Sequence, residues 1–432
     1  MSHAPSGPLA TLPRYLPRED APTAESVWRL APEGLDPEAV ATFLRHGLPP
    51  EESLFQDVGR MPVMLPRMRR AAVPTEDEDR LAERLLSALA GTVSHRVAEG
   101  ARDVSLSGGV DSAALCLLAA RAAPGQVRAW TMDVHFADAV ERQHAKAVAR
   151  VAGVECVDAP IPDAVLPDLF EPAVLSNETP LINARAVASF AFYAEARRHG
   201  ASVMLSGAGA DEVLLGNPEA LAGARARVDE DRRLAREVLR PSAVDDLGAN
   251  HDADRAPWGL VPEDVHRPEE VRYASWVLRE LVLPPEVRGA RAHGLTVLTP
   301  YLDEDFMKVA LALPVSVLVR DGVGKWLFRQ AVRGLVPDEV RLARKTPRYA
   351  HTALSSPVRE RWLELYRAWL SPSRLEPLEV IDSAAALAFL ERYTRLSPDA
   401  PEASGMDRLL MRLVSLAMLH AHCASSSPCP ES

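Results

Sequence analysis

Apolar residues recur along this chain with two different periods. Leu81, Leu85, Leu86, Leu89 and Val93 fall on one face of a helix within Thr75–Val97, which leads into a short apolar run at Val104–Leu106. From there strand-like runs alternate with helical stretches. Val104–Leu106, Val127–Val134, Val154–Ala159 and Val203–Leu205 read as strands, with helices at Ser112–Ala123, Ala139–Val151 and Arg185–His199 between them. Alternation on this length scale predicts an α/β fold with a doubly wound parallel sheet. In such sheets ligands bind outside the carboxyl ends of the strands, so chemistry is expected in the turns after Leu106, Val134 and Leu205.

The flanks read differently. Beyond Pro218 the pattern is mostly helical, at Pro268–Leu283, Asp303–Leu313, Lys325–Gly334, Val358–Leu370 and Asp407–His422. Ser371–Pro377 reads as a loop and Cys423–Ser432 as a frayed tail. Before Val73 prolines punctuate the text, leaving one short helix at Pro37–His46 and an apolar piece at Met61–Leu65, too little to form a core alone. No internal repeat is visible.

Composition removes several classes of function. The 432 residues carry a net charge of −11, which argues against a broad electrostatic grip on nucleic acid or on an anionic membrane. A small soluble substrate is expected instead. Four cysteines (Cys116, Cys156, Cys423, Cys429) are too few and too scattered for a disulfide framework, so a reducing cytoplasm is expected. Met1–Asp20 lacks the basic and apolar stretches of a signal peptide, and the apolar segment Leu409–His422 is interrupted by Arg412.

The most informative string is Ser107-Gly108-Gly109-Val110-Asp111-Ser112, between a short buried strand and an Ala/Leu-rich helix. Two glycines permit close backbone approach to an anion, the helix start offers unpaired N–H groups, and Ser107 and Ser112 add hydroxyls. A polyphosphate fits such a turn. Asp111 would repel bare phosphate but becomes useful if Mg2+ lies between them, which favours a metal-bound nucleotide. The plainer alternative, a glycine turn with Asp111 and Ser112 capping the helix, covers less of the string. Two decoys fail. Gly322-Val323-Gly324-Lys325 is followed by Trp326 where a Walker loop needs a hydroxyl, and Gly207-x-Gly209 has Glu212 where a dinucleotide turn needs glycine.

The string Ser105-Leu-Ser-Gly-Gly-Val-Asp-Ser112 resembles the PP-loop of ATP pyrophosphatases, which split ATP between its α- and β-phosphates and adenylate a substrate. Later motifs choose the branch. Leu205-Ser-Gly-Ala-Gly-Ala-Asp-Glu212 resembles the asparagine synthetase string LSGEGxDE, and Thr299-Pro-Tyr-Leu-Asp303 resembles its PFLD segment. Lys325-Trp-Leu-Phe-Arg329, Leu335-Val-Pro337 and Arg344-Lys345 follow in the family's order, so the resemblance to the asparagine synthetase and β-lactam synthetase family runs from about Glu76 to Cys423. Leu35–Leu44, Ser53–Phe55 and Gly59–Pro62 resemble the end of that family's glutaminase domain. Ser2 stands where its cysteine nucleophile would be, so no glutamine-derived ammonia is expected. The implied organisation is a non-catalytic remnant and linker over 1–74, a synthetase domain over 75–424, and a disordered tail over 425–432.

The resemblance also implies residue roles. Leu106, Met132, Ser206 and Gly207 would surround AMP, while Ser107, Gly108, Gly109, Asp111 and Ser112 hold pyrophosphate, and Asp111 and Asp211 share Mg2+. Lys345 would neutralise charge developing during adenylation or amide formation, and Lys325 would reach the departing pyrophosphate. For Asp211 the plainer reading is a helix cap, and for either lysine a solvated surface group.

Departures locate what changes. Ala208 replaces the family's glutamate, and Thr296, Leu298 and Tyr301 depart from its E-x-R-x-P-F segment, which points to a changed acceptor. Glu178, before Thr179-Pro180, is a candidate replacement base beside a plainer reading as a solvated loop carboxylate. His135, His144 and His293 lack metal-ligand spacing, and Cys116 reads as a packed thiol. The expected activity is ATP-dependent, AMP-forming joining of a small-molecule carboxylate to an amine in natural-product biosynthesis. The rivals are an intramolecular cyclase, an ammonia-dependent asparagine synthetase and a non-catalytic nucleotide-binding subunit. A homodimer or a partner protein stays open.

Overall fold

The computed structural model describes residues 12, 14–17, 22–48, 51–61, 74, 76–217, 220–245, 256–259, 269–343 and 351–426. Strand β1 (Arg14–Pro17) pairs antiparallel with β2 (Val58–Met61), and the helix Pro37–His46 lies between them in sequence. Strands β3 (Asp103–Ser105), β4 (Arg128–Asp133), β5 (Glu155–Pro160), β6 (Val203–Leu205) and β7 (Thr296–Leu298) form one parallel sheet in the order β5-β4-β3-β6-β7. The first four match the sequence pattern within two residues. The fifth, β7, at the sheet edge, is absent from the sequence pattern.

Neighbouring side chains within a strand point to opposite faces, and the two faces carry separate cores. Trp130, Met204 and Val297 pack with the helices Ala184–Arg198 and Ala403–Ser426. Val104, Ala129 and Leu205 pack with the helices Glu78–Ala98, Val110–Ala122 and Ala139–Ala152. Helices on both faces make the sheet doubly wound, as expected. Two of its helix starts are set by short polar side chains: Asp138 Oδ1 accepts from the N–H groups of Val140 (2.7 Å) and Glu141 (3.2 Å), and Asn183 accepts from Arg185. The chain leaves β3 toward β4 and β5, then returns to β6 on the other side, so the switch point lies between β3 and β6.

Four readings need correction. Ser371–Pro377 is not a loop: Pro372–Leu375 is helical and continues into a tighter turn at Glu376–Leu378, because Leu375 and Leu378 are buried. The carboxy-terminal helix extends through Ser426, and Cys423 is packed inside, so the fraying expected from residue 423, and the tail expected from 425, do not begin there. Residues 427–432, with Cys429, and the apolar positions 62–65 lie outside the described residues. The helix expected to stop at Leu283 instead continues from Glu269 to Ala292. Its middle, Leu278–Val282 and Pro284–Arg288, winds in wider turns, since Pro284 and Pro285 have no N–H to give the ordinary ladder. The helix Leu166–Asn177 was hidden by its own prolines, Pro167 and Pro172.

The amino-terminal segment has no core of its own. Tyr15, Val27, Leu35, Val40, Leu44 and Phe55 share one with Leu410, Met411 and Val414 of the last helix. Among the described residues, no helix is long and apolar enough to cross a membrane.

Candidate active site

Two strand-to-helix loops meet at the switch point. Leu106–Gly109 connects β3 to the helix Val110–Ala122, and Ser206–Gly209 connects β6 to the short helix Ala210–Val213. They border a cleft of about 840 Å3, also lined by Met132, Ala208, Asp211 and Lys325. That is near the upper end of ligand pockets, roughly 300–1,000 Å3.

The first loop is shaped by its glycines and its own hydroxyls. Gly108 has φ +86°, and a Cβ there would stand 1.9 Å from the carbonyl oxygen of Glu141, so the helix Ala139–Ala152 presses on this bare backbone. Ser112, buried, accepts from the Ser107 N–H at 3.1 Å and donates to the Gly109 carbonyl at 3.1 Å. Its hydroxyl therefore holds the turn's shape. Leu106 donates to the Trp130 carbonyl and Ser206 to the Leu298 carbonyl, extending the sheet's bonding to the floor of both loops.

Asp111 in the first loop's helix and Asp211 in the second face one another across the ammonium of Lys325. Lys325 Nζ contacts Asp111 Oδ2 and lies 2.6 Å from Asp211 Oδ1. Asp111 Oδ1 is buried and has no hydrogen-bond partner among the described residues. Burial alone would lower the lysine's pKa; the two carboxylates outweigh it and hold it up to about 12, so Lys325 stays charged. Its close approach depends on Gly216, where a Cβ would fall 2.0 Å from Asp211 Oδ1 and 2.3 Å from Lys325 Cε. Arg329, one turn on, donates to the Gly324 carbonyl at 3.3 Å and fixes the turn that delivers the lysine. Beneath Asp111, the buried phenol of Tyr301 donates to its backbone carbonyl at 3.0 Å, wedged edge-on against Phe306 and Phe328. Asp303 of the same segment caps the helix Glu304–Ala310 and pairs with Arg96 at 2.5 Å.

The structure thus brings Leu106, Ser107, Gly108, Gly109, Asp111, Ser112, Met132, Ser206, Gly207, Ala208, Asp211 and Lys325 to one cleft. Lys345 lies outside the described residues. Glu178 does not line this cleft, and the reading of it as a replacement base or as a solvated loop carboxylate is corrected. It is buried in an ion pair with Arg288 at 2.5 Å, and it accepts from Ser26 Oγ (2.5 Å) and the Val27 N–H (3.3 Å). Its work is to dock the amino-terminal segment. His293 packs on the Phe190 ring with centroids 4.2 Å apart, and burial lowers its pKa. Cys116 is buried and burial pushes its thiol up to about 12, as a packed thiol requires.

Sequence reasoning missed a carboxylate. Glu286, in the wide-turned stretch after Pro284-Pro285, accepts from Ser206 Oγ at 3.3 Å and from the Tyr193 hydroxyl, while the Ala208 N–H donates to Ser206 Oγ at 3.3 Å. The only available signal was the proline pair itself, which breaks the helical period where the glutamate appears.

No curated protein matches the chain. The family model for asparagine synthase matches residues 84–421, which contain both strand-end loops, Lys325 and all five strands of the parallel sheet, and the chain therefore belongs to that family of ATP-dependent, amide-bond-forming ligases.

Proposed function

We propose that the chain adenylates a carboxylate with Mg–ATP, releasing pyrophosphate, and passes the acyl group to an amine, releasing AMP. The observation that carries this reading is the convergence of Asp111 and Asp211, from adjacent strand ends, on a single point beside a loop whose Gly108 excludes any side chain. Two carboxylates so placed fit a divalent ion, and the buried Oδ1 of Asp111, without a hydrogen-bond partner among the described residues, is a ligand atom in waiting. Bound there, Mg2+ would offset charge building on the pyrophosphate.

The protein's own groups do the rest. Ser107, Gly108, Gly109 and Ser112 form the pyrophosphate cradle, and Leu106, Met132, Ser206 and Gly207 line the place for AMP. Lys325, now paired with both aspartates, would carry its charge toward the departing pyrophosphate were a metal to take its place between them. Lys345 supplies the second cation. Orientation of acid and nucleotide in one cleft can contribute several kcal/mol to the rate. The substitution at Ala208 supports an acceptor other than that of asparagine synthesis, in natural-product biosynthesis, and the amino-terminal segment is a non-catalytic remnant of a glutaminase. The free thiols of Cys116 and Cys156 suit a reducing cytoplasm.

ATP–pyrophosphate exchange across a panel of carboxylic acids tests the reading. Exchange should appear with the right acid and vanish in Asp111→Asn. Formation of ADP, or exchange that survives that substitution, refutes it.

A further inference from the structure

A second cavity, of about 180 Å3, lies where the amino-terminal segment meets the helix Glu269–Ala292. On that helix Tyr273, Trp276 and Glu280 recur at helical spacing and share one face, and all three line the cavity. Trp258 packs edge-on against Tyr273 (4.9 Å) and beside Trp276 (5.9 Å), so this wall is made of rings. Phe43 and Leu44 of the helix Pro37–His46 add further apolar lining. Gly47, with φ +76°, ends that helix; a Cβ there would stand 3.1 Å from Pro257 Cβ, so bare backbone lets the two segments close together. Pro180, Ile182, Tyr273, Glu280 and Leu281 line both this cavity and the cleft, which therefore share a wall.

The charge of this lining runs against that of the chain. Five arginines and three acids border the cavity of a protein whose net charge is −11. Four of the arginines are engaged: Arg60 pairs with Glu280 at 2.9 Å, Arg408 and Arg412 share Asp231 at 2.8 and 2.9 Å, and Arg227 donates to the Tyr273 hydroxyl at 3.2 Å. The third acid, Glu178, is held by Arg288. Arg45 is left. It is 6% exposed, and among the described residues no acid pairs with it. Its Nε and Nη1 donate to the carbonyls of Ala41 (3.4 Å) and Val244 (3.3 Å), while Nη2 is buried without a hydrogen-bond partner among the described residues. Burial and the charge of Arg236 both lower its pKa, with no neighbouring acid to oppose them. A buried guanidinium without a counter-ion is costly, and an anionic ligand would relieve that cost.

We infer that this cavity binds a small carboxylate with a ring-sized apolar body, the anion on Arg45 and the body against Trp258, Tyr273 and Trp276. Volume sets the size: a cavity of about 150 Å3 admits benzene, so one of about 180 Å3 takes a single ring with a short arm, and neither a nucleotide nor a long acyl chain. Such an anion has two sources. It is the far end of the acid that the cleft activates, reached across the shared wall, or a free effector bound beside the cleft. The first source rests on the adenylation reading above; the binding itself does not.

Phenylacetate titrated into the full chain, followed by calorimetry and tryptophan fluorescence, should bind, and phenethylammonium should bind at least roughly tenfold more weakly. Arg45→Met should weaken phenylacetate by roughly tenfold or more while leaving neutral phenylacetamide within about twofold of wild type. Leu48→Trp, which fills the space from a half-buried lining position, should abolish both. Phenylacetate that fails to bind the wild type, binds Arg45→Met equally well, or survives Leu48→Trp overturns the assignment. Loss of phenylacetamide together with phenylacetate in Arg45→Met overturns it too, since the arginine would then only hold the cavity's shape. ATP–pyrophosphate exchange separates the sources. If the anion is the acid's far end, 1,4-phenylenediacetate should outperform phenylacetate as a substrate and lose that advantage in Arg45→Met; phenylacetate that still binds with Mg–ATP and acid saturating marks a free effector. Should the wild type exchange with no acid, the adenylation reading fails, and phenylacetate binding still decides the cavity.

Discussion

Replacing Lys325 with methionine keeps the length of the side chain and removes the charge on which Asp111 and Asp211 converge. Asp211 Oδ1 is 2.6 Å from the ammonium and Asp111 Oδ2 is in contact with it, so the two oxygens stand no more than about 5 Å apart. At an effective dielectric of about 20, unit charges at that separation repel by about 3 kcal/mol. That falls within the roughly 3–5 kcal/mol observed when one partner is removed from a buried ion pair. Without metal, Lys325→Met should therefore lower the unfolding free energy by about 3 kcal/mol, read as a reduced urea midpoint at unchanged slope. Adding Mg2+ should restore most of the loss, because a divalent ion can take the place the ammonium left. The wild type should respond less, since there the metal must displace a cation already bound. Lysine ionisation does not complicate the experiment: a pKa held at about 12 keeps its contribution intact at neutral pH, to be lost only as pH rises beyond the ordinary lysine range. A Lys325→Met protein as stable as wild type in EDTA, or one that Mg2+ stabilises no more than wild type, refutes the view that these carboxylates form one cation site.

Three further outcomes follow from single contacts. Gly108→Ala puts a methyl 1.9 Å from the Glu141 carbonyl, a backbone clash that no rotamer relieves, and should weaken ATP binding at least roughly tenfold by calorimetry; unchanged affinity would place the nucleotide elsewhere. Glu178→Ala leaves Arg288 buried and unpaired, so stability should drop by roughly 3–5 kcal/mol and limited proteolysis should cut within residues 14–35, whereas a protected segment would show that the pair does not dock it. Asp407, whose carboxyl is pushed up to about 6 by burial against the pull of hydrogen bonds from Tyr393, Ala353 and Tyr366, binds a proton in the folded chain that the unfolded chain has shed. Its stabilisation is complete below about pH 4 and is lost by about pH 6, a swing of about 3 kcal/mol. Asp407→Asn should flatten the stability profile in that window and exceed wild type at pH 8; parallel profiles would refute it.

The sheet and the nucleotide half of the cleft were legible because each is contiguous in the chain. A strand, a glycine turn and a helix start make one string, and two such strings mark the switch point. Residues contributed singly from distant elements were not legible. Glu178 follows a helix in sequence and reads as a loop acid; nothing local announces Arg288, which turns it into a buried structural pair. Gly216 belongs to no motif, yet only a bare backbone there lets Lys325 reach Asp211. Motif order placed Lys325 near the departing pyrophosphate, but nothing local to it announced that the fold would seat its ammonium between two aspartates. Glu286 was obscured by Pro284-Pro285, which end a helical period on paper but in the structure only widen its turns.

That asymmetry bears on how such a ligase changes substrate. The half proposed for the nucleotide is built from backbone N–H groups and carboxylates just beyond the ends of β3 and β6, where altering one residue disturbs the sheet's own bonding: Leu106 and Ser206 both extend it. The rest of the cleft is lined by side chains from other elements, among them Tyr193 from one helix and Glu286 from the irregular stretch Pro284–Arg288. Wide turns tolerate change there because their hydrogen bonds are already off the ordinary ladder. The proposed function therefore assigns adenylation to the strand ends of the sheet and leaves acceptor choice to side chains that reach the cleft from other elements.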